Sequence, residues 1–253
     1  MEITYPSGRK VAYAYDALGR VRQIDTTYLG VTQTAVANVS YQPFGPVKSF
    51  AYGNASASIR TFDADGRLAS YTLGSLTRGV SYDDASRIVA FTKPNAQADQ
   101  SFVYDNLNRL SNWSTADSNQ SFLYDAVGNR ISHTIGASTY PYTYSATSNQ
   151  LTNVGGPTNN DFRYEPAGNL STTSQAGFAY DARHRMIQAT FSGRGASYQL
   201  NALGQRVMKT PTVGNATVYH YDINGHLIGE SDAQGNVQVE YIYLGDVPVA
   251  VMQ

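Results

Sequence analysis

The sequence predicts an all-β fold built from tandem antiparallel β-hairpins, and three observations predict it. An aromatic anchor recurs about every twenty residues along the whole chain. Each anchor opens a turn of the form Asp-x-x-Gly or a close variant. No long window carries apolar residues at the i, i+3, i+4 spacing of an amphipathic helix.

The anchors are Tyr15, Tyr41, Phe62, Tyr82, Tyr104, Tyr124, Tyr144, Tyr164, Tyr180, Leu200 and Tyr221. They are separated by 26, 21, 20, 22, 20, 20, 20, 16, 20 and 21 residues. A fixed period of this length is the sequence sign of a repeat architecture. In the first repeat, Tyr13 and Tyr15 lie two apart, which puts both rings on one face of a strand. Asp16 then starts the turn, Gly19 closes it, Arg20 follows, and Val21 resumes the strand. Asp at the first position of a type I turn accepts backbone N–H groups ahead of it. Glycine takes the left-handed conformation that finishes a short hairpin loop with a bulge.

The later repeats follow in order. The longest interval, through TTYLGVTQTAVANVSYQPFG, reads as β with a longer excursion before Tyr41 and Gly45. Phe62, Asp63, Gly66 and Arg67 form the third turn, and Tyr82, Asp83 and Arg87 the fourth. The fourth has Ser86 in the glycine place, so it is expected to be strained or differently shaped, as is the turn with His184. Tyr104, Asp105 and Arg109 use Asn108, the non-glycine residue that best tolerates positive φ. Tyr124, Asp125 and Gly128 precede Arg130, which stands one place later than its counterparts. Tyr180, Asp181 and Arg185, then Tyr221, Asp222 and Gly225, continue the pattern. Stretches rich in Ser, Thr, Asn and Gly, such as TADSNQ and GGPTNND, connect successive hairpins.

Composition agrees and excludes several classes. Twenty Tyr against one Trp favours pleated, half-buried surfaces. The acids are 15 Asp to 4 Glu and the bases 14 Arg to 4 Lys, a bias towards short turn carboxylates and planar, stackable cations. A net charge of −1 gives no electrostatic reason to expect nucleic acid or an anionic membrane as partner. With no cysteine, disulfides and thiolate metal sites are excluded. The opening MEITYPSGRK is no signal peptide, no apolar run reaches membrane-spanning length, and the start reads as mid-repeat. Residues 1–253 are therefore expected to be one repeat domain and a fragment of something larger.

The recurrent core, seen as YDALGR, FDADGR, YDNLNR and YDAVGNR, resembles the YD repeats of Rhs-type proteins, present also in insecticidal toxin complexes and in teneurins. The likeness runs along essentially the whole chain, and YPSGRKVAYAYDALGRV, VSYQPFGPVKSFAYGN and the C-terminal YDINGHLIGESDAQGNVQVEYIYLGDVPVAVM look like stretches of the bacterial proteins. The resemblance implies a continuous sheet of hairpins that spirals into a hollow cocoon around a toxic C-terminal polypeptide, of which this chain would be a partial arc. It implies a secreted or cell-surface location as part of a larger bacterial protein. The family's releasing members carry an aspartyl autoprotease with paired Asp-Pro motifs, and this sequence contains no Asp-Pro dipeptide.

The polar residues read as structure. The Asp-Arg pairs expected are Asp16 with Arg20, Asp63 with Arg67, Asp83 with Arg87, Asp105 with Arg109, Asp125 with Arg130 and Asp181 with Arg185. A catalytic use would need one copy to differ from the rest and to hold a positioned partner. These copies look alike, so they are expected to fix turns and cover neighbouring tyrosine rings. His220 and His226 lie on opposite arms of one hairpin, but two histidines without a third ligand make a weak metal case. Residues 63–67 and 232–236 lack the further oxygen ligands of a calcium loop and read as turns. No cofactor and no catalytic residue is expected. The tyrosines and Trp113 are expected to form a ladder between hairpins.

The expected role is thus non-enzymatic: a wall segment of a toxin-enclosing shell, partnered by the rest of that shell and its cargo. The rival expectation is an adhesion module whose aromatic sheet face recognises a cell-surface glycan or protein. In either case unpaired strand edges are expected to favour self-association.

Overall fold

The computed structural model describes residues 1–43, 45–93 and 99–253. Phe44, inside one of the stretches that carry the resemblance, lies outside the described residues. The described residues form 25 β-strands and no helix. The strand pairs within each compact unit are antiparallel and join strands that follow each other in the chain, as hairpins linked by short turns require. At nearly every anchor the pairing slips by one residue, for example between Ala14 and Tyr15, Val103 and Tyr104, and Leu123 and Tyr124. This slip is the bulge that the Asp-x-x-Gly loop produces.

The chain divides into two compact units. The first combines Met1–Arg60 with Ala179–Gln253. Its strands Lys10–Tyr15, Val21–Tyr28, Val31–Tyr41 and Val47–Tyr52 each contribute a buried apolar side chain. The inward set Val11, Ile24, Val36 and Phe50 packs with Ile242, Leu244 and Val249 of the C-terminal strands Val237–Leu244 and Val247–Met252, and Tyr5 joins them. Sequence-distant ends of the chain therefore share one core. The Tyr5 hydroxyl donates to the Tyr241 carbonyl at 3.0 Å and the Tyr13 hydroxyl to the Tyr243 carbonyl at 3.2 Å.

The described residues of the second unit, Thr61–Phe178, form successive hairpins. Among its described residues Val80 is the one buried apolar side chain. Its strands alternate between a half-buried aromatic face and a face of small hydroxyl residues. Ser138–Tyr144 shows this, with Tyr140 and Tyr142 on one side and Thr139 and Thr143 on the other. Cross-strand hydroxyl pairs fasten the polar face, including Ser101 with Ser114 at 2.6 Å and Thr134 with Thr139 at 3.1 Å.

Candidate functional site: the turn and inter-repeat lattice

Each repeat turn is a closed hydrogen-bonded loop. In the first, the Asp16 amide donates to the Arg20 carbonyl at 2.8 Å and the Gly19 amide to the Asp16 carbonyl at 3.0 Å. The Asp16 carboxylate caps the loop: Oδ1 accepts from the amides of Leu18 and Arg20, both at 2.9 Å, and Oδ2 accepts from Arg20 Nε at 2.9 Å. Asp63 with Arg67, Asp83 with Arg87, Asp105 with Arg109, and Asp181 with Arg185 repeat the arrangement. These donors hold the carboxyls below the usual carboxylate range. The Arg185 amide is the largest cause at Asp181, which falls to about 2. Residues 232–236 make the same loop with Asn236 in the arginine place, so turn chemistry accounts for that segment.

The glycine position takes positive φ as expected at Gly19, Gly66, Gly128 and Gly225, with values of 76°, 77°, 94° and 88°. Ser86, Asn108 and His184 adopt φ of 61°, 62° and 62°. The turns with Ser86 and His184 thus keep the common shape, with side-chain residues in a region that favours glycine. Gly45 departs from the set: its amide bonds the Gln42 carbonyl at 3.0 Å, but its φ lies outside the left-handed range.

One expected pair is corrected. Asp125 does not pair with Arg130. Its Oδ1 accepts from the amides of Val127 and Asn129, and its Oδ2 accepts from Asn129 Nδ2 at 2.9 Å. The residue facing the carboxylate is always the fourth after it, because the bulged loop returns the chain at that point. A residue five places on has already entered the next strand. Arg130 accordingly turns to Tyr142, donating to its hydroxyl at 2.7 Å with the guanidinium 4.5 Å from the ring centre.

The same arginines join consecutive repeats. Arg20 lies over the Tyr41 ring at 4.6 Å, Arg67 over Tyr82 at 4.7 Å, Arg87 over Tyr104 at 4.8 Å and Arg109 over Tyr124 at 4.7 Å. Each covered tyrosine hydroxyl then donates to a carbonyl of the preceding repeat: Tyr41 to Val21, Tyr82 to Leu68, Tyr104 to Ile88 and Tyr124 to Leu110, at 2.7–2.9 Å. Tyr144, Tyr164 and Tyr221 make the corresponding bonds to Arg130, Leu151 and Arg206. The ladder expected of the aromatics is therefore largely an alternation of guanidinium and phenol. Direct ring contacts are fewer; Phe91 with Phe102 at 5.6 Å is one. Tyr15 and Phe62 mark the strand ends at their turns, and the strand Ala176–Tyr180 ends at the Tyr180 anchor.

His220 and His226 have separate partners. His220 Nε2 lies 2.9 Å from Ser231 Oγ. His226 occupies the arginine place of its turn, 3.0 Å from Asp222 Oδ2, and stacks on Tyr243 at 4.7 Å. Tyr243 is thus a twelfth anchor, and its hydroxyl donates to the Leu227 carbonyl at 2.9 Å. Its interval of 22 residues from Tyr221 was available in the sequence.

Sequence reasoning missed the charged centre of the first unit. The Glu240 side chain is 2% exposed, and it accepts from the Ser7 amide at 3.0 Å, Ser7 Oγ at 2.8 Å and Arg9 Nε at 3.0 Å. Arg9 also lies over Tyr28 at 4.7 Å. The available signal was a carboxylate at an inward position of the alternating strand that holds Ile242 and Leu244.

No family model and no curated protein matches the sequence. Solved structures do match the fold. A crystal structure of TcdB2-TccC3 without its hypervariable C-terminal region aligns over 96% of this chain at a TM-score of 0.58 and 13% identity. The Photorhabdus luminescens Tc holotoxin pore with a mutated TccC3 aligns over 99% at 0.58 and 13%. A further TcdB2-TccC3 crystal structure aligns over 96% at 0.57 and 13%. The chain spans 17–18% of the length of these toxin chains. Its fold is that of a segment within Tc toxin chains, the toxin-complex group that the YD-repeat resemblance names.

Proposed function

We propose that this chain is a wall segment of an Rhs-type β-shell that encloses a C-terminal toxic polypeptide until delivery, and that it performs no chemistry of its own. The observation that carries the reading is the inter-repeat lattice. The repeated Asp, Arg and Tyr side chains satisfy one another within and between turns, so their polarity serves the continuity of the sheet. The fold shared with Tc toxin chains supports the same role. On this reading the partners are further hairpins of the same shell and its enclosed cargo, and the larger protein is secreted or displayed at the cell surface. The lattice weighs against the glycan-binding alternative, because the Tyr41, Tyr82, Tyr104 and Tyr124 rings and hydroxyls already have protein partners.

Limited proteolysis of the full-length gene product tests the proposal. Polypeptide C-terminal to the repeats is expected to survive a protease dose that digests it when it is produced alone. Equal digestion in both settings overturns the enclosure. A reproducible glycan-array hit, lost on Trp113→Ala, would replace it with the adhesion reading.

A further inference from the structure

Across the repeats, the residue that faces the turn carboxylate is a guanidinium in five cases, at Arg20, Arg67, Arg87, Arg109 and Arg185. At Asn129, Asn169 and Asn236 it is an amide; the Gln205 amide faces Asn201 instead of a carboxylate. Neither group changes charge in the physiological range. His226 is the exception, and it stands at the link between the turn of residues 222–226 and the last hairpin of the chain.

Both ring nitrogens of His226 lie against carboxylates. Nδ1 is 3.0 Å from Asp222 Oδ2 and Nε2 is 3.0 Å from Asp246 Oδ1. A neutral imidazole has one N–H and one lone pair, so either tautomer turns a lone pair towards an anionic oxygen. The imidazolium donates to both. Asp222 is fixed independently of the ring by the amides of Asn224 and His226, each at 2.9 Å from its Oδ1. The Asp246 side chain is 96% exposed and sits in the tight turn between strands Val237–Leu244 and Val247–Met252. The Tyr243 ring lies nearly parallel to the imidazole, at 18°. A cationic ring over that π face is favoured, and the attraction weakens on neutralisation.

We propose that His226 is a pH-responsive latch that ties the C-terminal hairpin to the preceding repeat while protonated and loosens it when neutral. The groups that face it are Asp222 from its own turn, Asp246 from the last turn and Tyr243 from the adjoining strand; the Asp222 charge in turn raises the hydroxyls of Tyr5 and Tyr13 on the N-terminal strands. Asp222 is the largest cause of a pKa raised above the ordinary imidazole value, followed by Asp246. A group whose pKa is raised by folding contributes stability that is complete below its unfolded value of about 6.5 and is lost as pH rises through the folded value. The latch therefore opens towards alkaline pH. Asp246 separates first, since water readily replaces its exposed contact, while Asp222 keeps its amide donors.

Two measurements test the latch. In NMR, His226 is expected to titrate above the ordinary value of about 6.5, and Asp246→Asn is expected to lower that midpoint. In hydrogen exchange, expressed as protection factors, strand Val247–Met252 is expected to lose protection several-fold between about pH 6 and 9, across the titration of a raised imidazole. His226→Arg, which restores the guanidinium of the other repeats, is expected to flatten that profile at high protection. His226→Asn, matching the amide that faces Asp232 at Asn236, is expected to flatten it at low protection. A His226 midpoint at or below the ordinary value, or an unchanged profile in the His226→Arg protein, overturns the proposal.

Discussion

The unit formed by Met1–Arg60 with Ala179–Gln253 and the unit Thr61–Phe178 use the same hairpin and the same turn, yet they are stabilised differently. The first has a core of fully buried side chains, among them Ile24, Val36 and Ile242, together with a buried Arg9–Glu240 pair. The second buries Val80 alone among its described apolar residues and relies on neighbour-to-neighbour links of arginine, tyrosine and hydroxyl groups. Stability of a repeat array is a sum of local terms between neighbours. A core shared by distant segments instead makes those segments depend on each other. The same repeat therefore supports a cooperative unit at the joined chain ends and a modular one between them.

The largest break in this contrast is expected at the buried pair. Glu240→Ala leaves Arg9 buried without its partner, a change that costs about 3–5 kcal/mol. Hydrogen exchange is expected to show lost protection in the first unit and retained protection in Thr61–Phe178. Equal loss in both would show that the units do not differ as described. Ile242→Ala removes a fully buried side chain and is expected to destabilise by about 2–5 kcal/mol in denaturant titrations. Val103→Ala, at an exposed position of the second unit, is expected to stay within about 0.5 kcal/mol. A comparable cost for the two would mean that the second unit has a core of its own.

Smaller changes sharpen what the units share. Tyr41→Phe in the first and Tyr104→Phe in the second each remove one hydroxyl from a preceding carbonyl. Each is expected to cost about 1 kcal/mol, and a marked inequality would show that the lattice is not a common element. Ser86→Gly relieves a left-handed serine and is expected to stabilise by up to about 1 kcal/mol, a gain reduced by the lost bond from Arg67 Nη1 to Ser86 Oγ. A destabilised Ser86→Gly protein would mean that this bond outweighs the backbone strain.

Acid acts on both units. The turn carboxyls, Asp63 and Asp105 in the second unit and Asp16 and Asp181 in the first, have folded pKa values below the unfolded one. Their stabilisation is present above the unfolded value of 3.8 and is lost as pH falls through the folded values, about 2 at Asp181. Thermal melts are expected to drop between about pH 4 and 2, and a midpoint unchanged across that window would contradict the capping role of the aspartates.

Much of the lattice was legible because its contacts are short-range in sequence. The interval of four from Asp16 to Arg20, the left-handed place of Asn108 and the turn at 232–236 all follow from the loop itself. The same rule explains the misplaced pair. Residue type points to Arg130, whereas loop geometry assigns Asn129 to the carboxylate. Tyr243 was hidden by the non-repeat residues that follow it and by His226 in place of arginine.

The sequence by itself determined the hairpin, its turn, its bulge and the period that stacks one repeat on the next. Each depends on backbone preference and on side chains within about twenty residues. Only the tertiary structure decided that Ser7 and Arg9 meet Glu240, and that Tyr5 reaches the carbonyl of Tyr241. Those partners lie more than 230 residues apart. No local pattern encodes such a distance, because burial selects an inward residue without specifying which segment will cover it. The Arg9–Glu240 pair is held by a core that exists only once both chain ends have come together.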